Sequence, residues 1–284
     1  MAKRNIGWSK SKRERFLKEG RGQGVGKDYK PWLTVQDFPS MGRATRIFGW
    51  KTQRVHHFFT DSQTRYFYLL EWEDSIIDIR EHFPLLDIDI KITDRSDLEF
   101  NLFKDGQTQE PYVLSTTFLV TTKDTKGRLT QYARSIKAAS ELEKNITLQG
   151  LEIERRYWKA KGIDWGIVTS KDIPLQKAKN IEWIHPAFSM QIDMDFRDDE
   201  LQELEHIFIL NLKNYKGSMR RFTAIFDREY NLEVGTGLLI FKYLLASKKI
   251  ILDMNLPIDL NSSEFTLLVL DGIEGERFGD ILSS

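Results

Sequence analysis

The chain has 284 residues, which is enough for one large or two ordinary domains, and we expect two. It contains no cysteine, so disulfides and thiolate metal sites are excluded, and its five histidines lack the spacing of zinc ligands. Its 42 basic and 42 acidic residues cancel, which by itself argues against a nucleic-acid partner. The distribution is uneven, because residues 1–60 carry 14 Lys and Arg against 4 Asp and Glu, a net charge of +10. This charge fits an arm that lies on phosphates and, equally well, a solvated tail.

The N-terminus is charged where a signal peptide needs an apolar core. The longest apolar stretches, such as Gly237–Ala246, are too short and interrupted to span a bilayer. We therefore expect a cytoplasmic protein with no membrane partner.

The basic N-terminal region predicts a short helix over residues 8–19, followed by a glycine run from Gly20 to Gly26. Such a run can cradle phosphate through backbone N–H groups, but no strand precedes it, so composition favours a flexible linker. Charge makes the basic side chains of this region candidate DNA contacts: Lys3, Arg4, Lys10, Lys12, Arg13, Arg15, Arg21 and Lys27.

The segment from about residue 32 to residue 183 reads as a mixed α/β core. A hairpin is predicted over Arg46–Phe59, followed by a helix that has Thr60 or Asp61 as its N-cap. The polar segment Ser96–Gly106 indicates an excursion away from the core. The predicted strands are Ile76–Ile79, Tyr112–Thr121, Gln131–Ile136 and Trp165–Thr169, and the predicted helices are Ser62–Trp72 and Ser140–Lys161.

The C-terminal segment predicts three helices, Asp195–Ile207, Met219–Tyr230 and Val234–Ala246, and then extended chain that Pro257 interrupts. This order is typical of a winged-helix module. Residues 171–284 hold 13 Lys and Arg against 19 Asp and Glu, so we expect this domain to contact protein rather than duplex DNA. A local basic patch could still meet phosphates: Lys213, Lys216, Arg220 and Arg221.

Three separated blocks carry a family resemblance: EGRGQGVGKDYKPWLTVQDFP, RIFGWKTQRVHHFFTDSQTRYFYLLEWEDSIIDIREHFPLL and LEIERRYWKAKGIDW. In this order they resemble TnsA, the endonuclease subunit of heteromeric bacterial transposases. The resemblance implies a restriction-endonuclease-like domain, which we place at residues 1–185 with its basic arm. A smaller, mostly helical, winged-helix-like domain would then occupy residues 186–284.

Nucleases of this fold hold Mg²⁺ with a helix carboxylate, a strand aspartate and a pair of residues two apart that ends in lysine, because a hard cation requires oxygen ligands. By resemblance these positions fall on Gln63, Thr117, Ser135 and Lys137, so only the lysine is retained. No acid lies between Glu110 and Asp124 that could replace the missing aspartate. Glu154 is the nearest retained acid, and a single carboxylate is a poor metal site.

The favoured interpretation is a non-catalytic TnsA-like subunit that needs no cofactor and binds transposon-end DNA. The resemblance implies a TnsB-like transposase and a TnsC-like AAA+ regulator as its protein partners. One alternative is an active endonuclease that uses Mg²⁺ through unrecognised acids. Another is a regulatory decoy that occupies partner surfaces without entering a productive complex.

Overall fold

The structure is a computed structural model that describes residues 7–37, 44–189, 198–262 and 268–269. The chain divides into two compact units between Leu175 and Gln176. No helix within the described ranges combines the length and the apolar character that crossing a bilayer requires.

A mixed four-stranded sheet forms the centre of the first unit, in agreement with the predicted α/β class. Its strands lie in sequence order, the first three antiparallel and the last parallel to its neighbour. A parallel pair requires a crossover connection, and α4 provides it. The elements are α1 (Lys10–Lys18), β1 (Thr45–Phe48), β2 (Val55–Phe58), α2 (Asp61–Trp72), β3 (Ile76–Pro84), α3 (Ile88–Lys91), β4 (Ser115–Lys123), β5 (Leu129–Ile136), α4 (Asn145–Ala160) and β6 (Asp164–Val168).

The core on one face of the sheet lies under α4. Buried Leu119 and Ala133 of the sheet belong to the same apolar cluster as Ile153, Tyr157 and Trp158 of α4. The segment after α3 contributes to this cluster as well, through Leu98, Phe100 and Phe103. The prediction that Ser96–Gly106 leaves the core is therefore wrong, because apolar side chains between its polar residues pack against the core.

The N-terminal region from residue 8 onward is packed rather than extended. Trp8, Phe16 and Trp32 form a buried aromatic cluster, with the rings of Phe16 and Trp32 edge to face at 5.4 Å between centroids. The region expected to be an extended arm is thus part of the folded first unit from residue 8 onward. Lys3 and Arg4 lie outside the described residues.

The glycine run is an ordered turn, so the flexible-linker interpretation is wrong. The N–H of Gly26 donates to Asp78 Oδ1 of β3 at 3.1 Å. At Gly24, where φ is +89°, a Cβ would lie 2.3 Å from the carbonyl oxygen of Asp28. The N–H used in this anchor is not available to cradle a phosphate.

Strand β3 changes the face on which its side chains lie. Side chains two apart on a strand normally share a face. Glu81, however, contacts Arg54 beside the β1–β2 hairpin, whereas Phe83 packs on Trp158 of α4. His82 between them has φ +49°, a left-handed conformation that reverses the alternation. One strand thereby serves two layers.

The second unit is mostly helical and includes a short strand pair. The three predicted helices are present with shifted bounds, and a further helix that the sequence analysis did not predict, Leu175–Ile184, precedes them. Phe208, Phe222 and Phe226 pack edge to face in its core. Residues 195–197 of the predicted first helix lie outside the described residues. The winged-helix assignment itself stays a prediction. The elements are α5 (Leu175–Ile184), α6 (Asp198–Asn214), α7 (Met219–Glu229), α8 (Thr236–Ala246), β7 (Ile250–Ile251) and β8 (Leu268–Val269).

Candidate functional site

Gln63 lies in the first turn of α2, where it helps to begin the helix. Thr60 is the N-cap, and its hydroxyl accepts the N–H of Gln63 at 3.2 Å. The side-chain oxygen of Gln63 in turn accepts the N–H of Phe59 at 2.8 Å. The amide oxygen is thus engaged in capping the helix and carries no charge.

Thr117 lies on β4 at the point where its ladder with β5 ends. Its hydroxyl oxygen accepts the N–H of Ile136 at 3.0 Å, a donor that continued pairing would direct to a carbonyl. Thr117 is buried, with 8% of its surface exposed. At the position where the resemblance places an aspartate, a neutral hydroxyl therefore binds the backbone of β5.

Ser135 and Glu154 form a buried network that joins β5 to α4. Two indole N–H groups donate to two hydroxyls, Trp165 to Ser135 at 3.1 Å and Trp158 to Thr116 at 2.7 Å. Each hydroxyl then donates to Glu154 Oε2, Thr116 at 2.7 Å and Ser135 across a short bond. Ser135 thus binds a carboxylate of the fold instead of acting as a metal ligand.

Glu154 titrates unusually because it is buried. Loss of hydration raises the pKa of its carboxyl group above the ordinary value, and the hydrogen bonds from Ser135 and Thr116 and the charge of Lys137 only partly oppose this rise. Lys137 is half buried and hydrogen-bonds through its own N–H to the carbonyl of Val168. The structure thus brings together Ser135, Lys137 and Glu154, with Thr117 bonded to the residue between the first two.

Sequence reasoning anticipated that Glu154 lies close to the site but did not identify Thr116, Trp158 and Trp165 as its neighbours. The available signal was the pair of tryptophans in the block that contains LEIERRYW and KGIDW. A buried indole usually needs an acceptor for its N–H group.

The residues present do not fit a divalent metal ion. Such an ion requires several ionised oxygen ligands, whereas the four positions predicted from the resemblance offer an amide, two hydroxyls and an ammonium group. Among the residues that the structure describes, no three His, Cys, Asp or Glu side chains converge as a metal site would need. Asp124, the first acid after β4, instead accepts the backbone N–H groups of Lys126 and Arg128 in the β4–β5 turn.

The predicted DNA contacts fall into two groups in the structure. Arg21 and Arg13 are used within the fold: Arg21 forms an ion pair with Asp37 at 2.6 Å and lies over the ring of Phe16, and Arg13 pairs with Glu110 at 3.2 Å. Lys10, Arg15 and Lys27 are exposed to solvent, whereas Lys12 is half buried beside the ring of Phe16.

Two further carboxylates, which sequence reasoning gave no role in the fold, hold the hairpin beside this site. Glu81 has no exposed surface and binds the Arg54 guanidinium at 2.9 and 2.5 Å and His56 Nδ1 at 2.8 Å. Buried Glu71 accepts the N–H groups of Trp50 and Lys51 in the hairpin turn. Acids that alternate with large apolar residues in LEWE and DIREHF were the signal for both, because buried charges are normally paired.

Comparisons with known proteins agree with the arrangement of the chain. Residues 73–170 match the model of the TnsA-like endonuclease N terminal domain, and residues 172–254 match that of the TnsA endonuclease C terminal domain. The chain is 42% identical over 248 residues to the transposon Tn7 transposition protein TnsA of Escherichia coli, an alignment that covers 87% of each chain. The chain therefore belongs to the TnsA family.

Proposed function

We propose that this chain is a transposition subunit of the TnsA type that binds DNA and partner proteins but does not hydrolyse DNA. The observation that carries the proposal is that Gln63 and Thr117, where the resemblance places two metal-binding carboxylates, are uncharged. Gln63, Thr117 and Ser135 each make a hydrogen bond within the fold, so all three side chains serve structural contacts. Lys137 is then left without a metal-bound phosphate to act on.

A cleavage assay tests the catalytic part of this proposal. Duplex DNA that carries the transposon end should remain intact with Mg²⁺ or Mn²⁺, because the site lacks the carboxylates that would hold either ion. Metal-dependent nicking that EDTA abolishes would favour the alternative, an active endonuclease.

Restoring the family residues tests whether the positions are assigned correctly. Gln63→Glu and Thr117→Asp keep an oxygen acceptor in place, so this double variant should fold and gain affinity for Mn²⁺ in a calorimetric titration. The resemblance implies a Gln-x-Lys pair at residues 135–137, so adding Ser135→Gln completes the family pattern but removes one donor to Glu154. A control with the same charge change elsewhere, Gln149→Glu with Thr130→Asp, should gain no such affinity.

The DNA-binding part rests on the exposed cations of α1. Phosphate contacts release counterions, so the logarithm of the binding constant should fall with the logarithm of salt concentration by about 0.9 per contact. Truncation would remove buried Phe16, so charge variants are the sharper test. Lys10→Gln with Arg15→Gln should flatten the slope, whereas Lys126→Gln with Arg128→Gln on the β4–β5 turn should not. Equal slopes in all three proteins would refute a role for α1.

The second unit is proposed to be a winged-helix-like module that contacts protein, because residues 171–284 carry more acid than base. By analogy with the Tn7 system its partners would be a TnsC-like regulator and a TnsB-like transposase. Association through complementary charge should slow in high salt. Lys216→Gln with Arg220→Gln should leave DNA affinity unchanged if the unit contacts protein, and a marked loss would assign this patch to DNA.

A further inference from the structure

The β1–β2 hairpin presents one face to solvent. Its strands pair in register, so that the inward side chains are Ile47, His56 and Phe58 and the outward cross-strand pair is Phe48 and Val55. Phe48 is 50% exposed and Val55 is 46% exposed. The outer face of the hairpin therefore carries an apolar cross-strand pair near the turn.

The hairpin is held firmly from beneath, although an isolated two-stranded hairpin is only marginally stable in water. Glu71 binds the N–H groups of Trp50 and Lys51 in its turn, and Glu81 binds the guanidinium of Arg54 at the end of that turn. Gly49 leaves no space in the turn, since a Cβ there would lie 2.7 Å from His56 Nε2. The outer face is thus a preformed surface.

The charge of this segment is entirely positive. Residues 38–60 contain no Asp or Glu and four basic residues, Arg43, Arg46, Lys51 and Arg54. Arg54 is neutralised by Glu81, but Arg46 is exposed and forms no ion pair with any residue that the structure describes. Arg46 stands opposite His57 in the register and lies two residues before Phe48 on the same face of the strand, so its charge borders the apolar pair.

We propose that the outer face of the β1–β2 hairpin enters the major groove of duplex DNA. The major groove admits a two-stranded β-ribbon, phosphates supply the anion that Arg46 lacks, and apolar side chains can contact thymine methyl groups at base edges. Two half-exposed apolar side chains offer too little apolar area for the core of a stable protein interface. This inference rests on the DNA binding proposed above and assigns it to a definite surface.

Three single variants of the full chain test the assignment on duplex DNA of the transposon end. Phe48→Ala should weaken binding about tenfold, equivalent to ~1.4 kcal/mol, without changing the salt slope, because it removes apolar contact rather than charge. Val55→Thr keeps the β-branched shape and should weaken binding several-fold. Arg46→Ala should reduce the magnitude of the salt slope by about one unit.

Leu129→Ala is the control, because Leu129 is 61% exposed at the far end of the β4–β5 ladder and should leave binding unchanged. Far-ultraviolet circular dichroism and thermal unfolding verify that each variant is folded. If the unmodified chain binds DNA and all three variants bind with the same affinity and slope, the inference is overturned while the proposed function stands. If the unmodified chain does not bind, both fail. Variants that retain DNA affinity but lose a transposase partner would overturn it in favour of protein docking.

Discussion

Replacing Glu81 with glutamine should be the most damaging single change in the first unit. The carboxylate accepts two bonds from Arg54 and one from His56 and has no exposed surface. Glutamine keeps the shape but leaves the buried guanidinium without a counter-charge, a loss that typically costs about 3–5 kcal/mol. With ~2–4 °C per kcal/mol for a unit of this size, the melting temperature should fall by roughly 6–20 °C.

The pH dependence of this loss has a definite sign. Burial alone would raise the pKa of Glu81, but the charges and hydrogen bonds of His56 and Arg54 outweigh it and hold the pKa well below the ordinary value. A depressed pKa contributes stability that is present above the unfolded value of about 4.3 and lost as pH falls toward the folded value. The difference between the two proteins should therefore be full at pH 7 and shrink on acidification.

Urea unfolding monitored by tryptophan fluorescence measures the effect, because six of the seven tryptophans lie in the first unit. Glu143→Gln, on an exposed position, is the matched control and should change stability by less than about 0.5 kcal/mol. A loss below about 1 kcal/mol for Glu81→Gln, or a loss that stays constant down to pH 3, would refute the reasoning.

Other changes have smaller expected effects, each measurable by the same unfolding experiment. Glu154→Gln mimics the neutral form of the carboxyl group that burial favours. Because the stability of the unmodified protein should decline as pH rises through the raised pKa of Glu154, the variant should be more stable by about 1 kcal/mol at alkaline pH and equally stable at low pH. A variant that is less stable at alkaline pH would contradict this. Asp227→Ala removes the acceptor for the N–H groups of Gly235 and Gly237 at the start of α8 and should cost about 1–2 kcal/mol, reported by Trp183 in the second unit. No change in that fluorescence signal would refute the capping role. Gly49→Ala should cost about 1–3 kcal/mol by overpacking the hairpin turn, and a neutral result would show that the turn can adjust.

Short sequence patterns predicted helix and strand positions well where a single residue type has a definite structural role. Thr60 begins α2 as the hydroxyl N-cap that its sequence indicated. The long apolar helix is present, but it begins at Asn145 instead of Ser140, because residues Ala139–Glu143 form a 3₁₀ turn. The glycine run misled composition-based reasoning, since its flexibility is removed by Asp78, a contact fifty-two residues along the chain.

The hydrogen-bond partners of Thr117 and Ser135 could not be predicted from the sequence, because those partners are distant in the chain. Family resemblance assigned Gln63, Thr117 and Ser135 to the catalytic positions, an assignment that stays a prediction, and it did not indicate the hydrogen bonds that these side chains make. Those hydrogen bonds depend on the backbone of a neighbouring strand for Thr117 and on α4 for Ser135. The pairing of Glu81 likewise needs a hairpin twenty-five residues earlier, which no local pattern specifies.

The reversal of faces at His82 has a consequence for how the domain opens. Within three successive residues, β3 binds the hairpin through Glu81 and contacts α4 through Phe83. Neither the hairpin nor α4 can therefore detach from the sheet without disturbing the same stretch of backbone. Burial lowers the pKa of His82 to about 4, which leaves a neutral ring whose Nε2–H donates to the His57 carbonyl at neutral pH. The hairpin and the Glu154 network accordingly belong to one cooperative unit. In amide exchange, the hairpin protons should be protected to nearly the same free energy as those of β3, far beyond what a lone ribbon sustains.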